Sequence, residues 1–61
     1  MTDLASQIVA EIRERPRHFA ELVDLHREVP WRAFLGAWGE VRAAQILTRD
    51  EDGHYLLAER S

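Results

Sequence analysis

Sixty-one residues with no cysteine, an apolar fraction of 46% and a formal charge of −3 leave room for one small folded domain held by packing alone. A chain of this size buries only about 60% of the surface its unfolded form exposes. Without thiols, neither a disulfide framework nor a thiolate metal site reinforces it. No apolar run reaches the roughly 18 residues of a membrane span, and Met1-Thr2-Asp3 lacks the basic start of a secretory signal, so a cytoplasmic protein with no membrane partner is expected. The net charge opposes nucleic acid at long range, but it is unevenly spread. Residues 1–26 hold three Arg against five acids, 27–49 four Arg against two, and 50–61 one Arg against four.

Leu4, Ala5, Ile8, Val9 and Ile12 recur at helical spacing, with Thr2 or Asp3 as the N-cap, and Pro16 predicts a stop near Arg15. Phe19, Leu22, Val23 and His26 form a second stripe, predicting a helix from about His18 to Arg27 with its striped face on the core. Val29-Pro30 resets the chain, because the residue before proline is pushed out of the helical region and proline suits a helix start. In the third helix Trp31, Phe34, Leu35, Trp38 and Val41 fall within one arc, predicting that both tryptophans are buried. Gly36 and Gly39 lie inside that helix, where each costs roughly 1 kcal/mol relative to Ala; close packing is the favoured reason for them.

After Gln45 the period changes. Ile46–Arg49 and Tyr55–Ala58 read as two strands around Asp50-Glu51-Asp52-Gly53, where Gly53 supplies a positive φ. A lone hairpin is barely stable in water, so Leu47, Tyr55 and Leu57 are expected to join the helical core. The prediction is an α+β domain over 1–61 with an α-α-α-β-β order, an ordered core from 3 to 58, and a fraying Glu59-Arg60-Ser61.

Phe19-Ala20-Glu21-Leu22-Val23, and Trp38 to Leu47 running into Arg49, Asp52-Gly53 and Tyr55-x-Leu57, are the residues through which the chain resembles the winged helix-turn-helix family. The resemblance covers roughly Leu4 to Ala58 and implies a third helix for the DNA major groove with a wing beside it. It maps groove contacts onto Arg32, Ala33, Gly36, Ala37 and Glu40, and wing contacts onto Arg49 to His54. The chain departs from that pattern in three ways. Only Arg32 on the outward arc suits bidentate base reading, Asp50, Glu51 and Asp52 oppose a phosphate backbone, and Pro16-Arg17 is too short for the family's first strand.

Two functional readings follow. The first is a non-catalytic binding module that meets itself or a protein partner through the small-residue face of helix three, using Arg32, Ala33, Gly36, Ala37 and Glu40, with Ala43 and Ala44 on the same arc. In a two-fold dimer, Arg32 and Glu40 would pair across the axis. The alternative is a DNA-binding regulator with Arg32 on base edges and Arg17, Arg27, Arg42 and Arg49 on phosphates. The basic run Arg13, Arg15, Arg17 and His18 reads first as a complement to the dipole of helix one. His18 is a candidate N-cap three residues before Glu21, His26 borders the core and His54 is exposed at the wing. No two histidines have metal-pair spacing, and no phosphate loop or nucleophile elbow is present, so neither metal, cofactor, small-molecule substrate nor catalysis is expected.

Overall fold

The computed structural model describes residues Met1 to Ala58, so the fraying expected at Glu59-Arg60-Ser61 lies outside the described residues. Helices α1 (Asp3–Glu14), α2 (Phe19–Leu25) and α3 (Trp31–Ala43) precede a hairpin of β1 (Leu47–Arg49) and β2 (Tyr55–Leu57), the expected α-α-α-β-β order. Thr2 caps α1 by accepting the Ala5 N–H at 3.2 Å, which satisfies one of the donors left open at a helix start. Arg15 turns to extended backbone ahead of Pro16. Helix α2 is shorter than the periodicity implied, because at His26 the backbone leaves helical geometry and the chain turns toward Val29-Pro30.

One cluster forms the core: Ala5, Ile8, Val9 and Ile12 from α1, Leu22 from α2, and Phe34, Ala37, Trp38 and Val41 from α3. Leu47, Tyr55 and Leu57 pack against it from the hairpin, as expected. The strands pair antiparallel with Leu47 opposite Leu57 and Arg49 opposite Tyr55. Gly53 takes φ +83° in the connecting turn, the conformation glycine adopts without steric cost.

The short stretch before α2 still reaches the sheet. Arg17 makes an isolated antiparallel bridge to Tyr55, with its N–H donating to the Tyr55 carbonyl at 3.0 Å and its carbonyl accepting the Tyr55 N–H at 2.6 Å. A single residue thus pairs with the free edge of β2 and ties the α1–α2 link to the hairpin.

The third helix differs from expectation on its inner arc. Ala37 is 4% exposed and belongs to the core, whereas Trp31 is 55% and Leu35 41% exposed. Burial follows the spacing Phe34, Ala37, Trp38 and Val41, which is i, i+3, i+4, i+7. Trp31 and Leu35 stand on the flank of that stripe, and Trp31 is also the first residue of the helix. The expectation that both indoles turn inward therefore holds for Trp38 alone.

Candidate functional site

The outer surface of α3 is built from two adjacent strips. Trp31, Leu35, Gly39 and Arg42 follow one another at i, i+4, i+8 and i+11, and Arg32, Gly36 and Ala43 run beside them; all are exposed. Trp31 stacks on Phe34 with ring centroids 5.8 Å apart, so one side of the indole rests on the core and the other faces solvent. A Cβ added at Gly36 or Gly39 would meet nothing within 4 Å. The close-packing reason expected for these glycines is thus not found within the described chain; both line an open, smooth surface.

The residues expected at the partner surface divide accordingly. Arg32, Ala33 and Gly36 are exposed, but Ala37 is a core residue, because it falls between Phe34 and Val41 on the buried side. Glu40 is half-buried, and its carboxylate accepts the Thr2 backbone N–H at 2.8 Å. It ties the start of α1 to α3, which removes it from the two-fold pairing with Arg32. What the sequence reading missed at this face is the pair Trp31 and Leu35. Their apolar spacing was visible, but the side they take was not.

The alternative DNA set is likewise split. Arg17 is only 7% exposed. Its Nε donates to the Glu11 carbonyl at 3.1 Å and its guanidinium lies 3.4 Å from the Glu14 carboxylate, so it holds the end of α1 and offers nothing to a phosphate. Arg27 is in the turn after α2, 3.9 Å from Asp24. Arg32 and Arg42 are exposed on α3, and Arg42 shares a groove with Gln45, Arg49 and Tyr55. The Arg49 guanidinium sits 5.2 Å from the Tyr55 ring centroid. Among the described residues, none of Arg32, Arg42 and Arg49 forms an ion pair.

Elsewhere the polar side chains are engaged with each other. His26 is buried and its Nε2 lies 2.7 Å from Glu11 Oε1, joining α1 to the end of α2. Glu21 accepts the His18 backbone N–H at 3.2 Å. That hydrogen bond, opposed by partial desolvation and aided by the Arg15 charge, holds the Glu21 carboxyl below its ordinary value of 4.5. At the hairpin tip Asp50 Oδ1 accepts the N–H groups of Asp52 and His54 at 3.0 and 2.8 Å. Desolvation at the turn works against the charge, but the His54 N–H, the His54 charge and the Asp52 N–H outweigh it, and the Asp50 carboxyl is held below 3.8.

His54 is half-buried, and its ring lies 3.8 Å from that of His18, centroid to centroid. No local spacing signals this meeting of a helix cap and a hairpin turn. Asp50, Asp52 and His54 bring ligand atoms within 4.8 Å of one another, the one group among the described residues able to reach a common cation. The Asp50 carboxylate there already closes the turn, with its second oxygen 3.3 Å from His54 Nδ1. Among the described residues no helix is long and apolar enough to cross a membrane. Compared with known proteins, the chain matches no family model, no curated protein and no solved structure.

Proposed function

We propose that this chain is a non-catalytic, cytoplasmic binding module of winged-helix type that docks a protein through the outer face of α3. The observation that carries the reading is the exposure of Trp31 and Leu35, one turn apart, beside two glycines that leave the helix backbone uncovered. Exposed tryptophan is the residue type that anchors protein interfaces, and missing side chains let a partner approach the backbone closely. Both glycines lower helix stability by roughly 1 kcal/mol each, with no contact among the described residues to compensate. The reading keeps Arg32, Ala33 and Gly36 of the expected surface, drops Ala37 and Glu40, and adds Trp31, Leu35 and Gly39.

DNA binding is the weaker reading. The wing tip is Asp50, Glu51 and Asp52, all exposed, and Arg17 is occupied within the fold. A photo-reactive side chain placed at Gly36, with Ala10 on the exposed side of α1 as the control position, tests the reading. It expects discrete protein adducts from position 36 that are absent from position 10 and vanish in a Gly39→Gln background. Equal labelling from both positions, or recovery of nucleic acid in place of protein, overturns it.

A further inference from the structure

The charge on this face selects among partners. Helix α3 carries three charged side chains, Arg32, Glu40 and Arg42. The single acid, Glu40, is turned to the Thr2 N–H, so the solvent face offers only positive charge. Arg49, across the groove from Arg42, extends it. These arginines stand without ion-pair partners among the described residues of a chain whose net charge is −3. The outer face of α3 is therefore basic and apolar together, with Leu35 between Arg32 and Arg42 along the helix and Trp31 at its start.

The same charges disfavour a second copy as the occupant. In a two-fold antiparallel crossing centred between Gly36 and Gly39, Arg32 of one copy lies beside Arg42 and Ala43 of the other, and in a parallel pairing Arg32 meets Arg32. Either arrangement places like charges together in an interface, and like-charge juxtaposition discriminates against wrong partners. With Glu40 engaged by Thr2, the face has no acid of its own to relieve this.

Resting on the protein-docking reading above, we infer that the partner of α3 is an acidic amphipathic helix. Its apolar stripe covers Trp31, Leu35 and the Gly36–Gly39 backbone, and its carboxylates pair with Arg32 and Arg42. Packing of one helix against another supplies the apolar term, and charge complementarity supplies partner choice and on-rate.

The test titrates the isotope-labelled 61-residue chain with two designed probe peptides that share one leucine stripe and differ only in carrying Glu or Lys on their flanks. Dilution of the free protein and a duplex DNA titration run in parallel. The expected result is amide shifts confined to Trp31–Ala43 with the Glu peptide, about tenfold weaker binding of the Lys peptide, and reversal of that preference in Arg32→Glu/Arg42→Glu. Equal binding of both peptides overturns the acidic partner while leaving the docking face standing. Shifts on dilution with no peptide response overturn it in favour of a second copy. No response to any probe overturns it as well. A response of α3 to DNA alone removes both this inference and the reading beneath it.

Discussion

Gly36 and Ala37 are consecutive residues on α3, about 100° apart around the helix, and they stand in opposite environments. Ala37 is packed among Phe34, Trp38 and Val41, whereas beyond Gly36 there is open space. The inner arc is a place where nothing can be added, and the outer arc is one where nothing among the described residues stands in the way of an addition. That contrast separates what holds the domain from what it presents, and the two arcs should answer differently to substitution.

The largest effect is expected from Ala37→Arg. A guanidinium at a closed core position combines overpacking with burial of an unpaired charge, at a cost of more than about 3 kcal/mol. A small single-core domain has little more than that in reserve, so circular dichroism should show a chain that is unfolded or nearly so. A folded variant with a native-like urea midpoint would mean that Ala37 faces outward after all.

Next is Glu11→Ala, which leaves buried His26 without its 2.7 Å partner. An unsatisfied buried polar group costs about 1–3 kcal/mol, to be read as a lower urea midpoint at neutral pH. On the outer arc the sign reverses. Gly36→Ala and Gly39→Ala should each stabilise by about 1 kcal/mol, raising Tm by about 4–8 °C. A fall in Tm would show that this face is already covered in solution, since the monomer leaves room for both methyl groups.

The smallest effect concerns acid. The folded Glu21 carboxyl is held below its ordinary value, so its stabilising contribution is complete above pH 4.5 and is lost as pH falls through the lowered value. Asp50 contributes in the same direction at the hairpin tip. Glu21→Gln should therefore lose less Tm than the wild type between neutral pH and about pH 3. Parallel pH profiles for the two would show that the His18 N–H contact does not stabilise the fold.

Much of the fold was legible because its signals are local. Pro16 and Pro30 mark helix boundaries, Thr2 caps α1, and Gly53 with the Asp50 carboxylate closes the hairpin, all within a few residues of chain. The outer face of α3 was legible only in outline. Arg32, Ala33 and Gly36 were placed outward correctly, but Trp31 and Ala37 had exchanged sides. Hydrophobicity ranked the larger side chain as the better candidate for burial, while packing chose the position.

The sequence by itself determined the element order, the turns and the existence of an apolar stripe on α3, because period, caps and turn residues act over one or two helical turns. Only the tertiary structure decided which edge of that stripe is inside, since this depends on where α1, α2 and the hairpin come to rest against α3. The links that settle their placement are Thr2 to Glu40, Glu11 to His26, and Arg17 to Tyr55. They join residues far apart in the chain whose meeting carries no local signature.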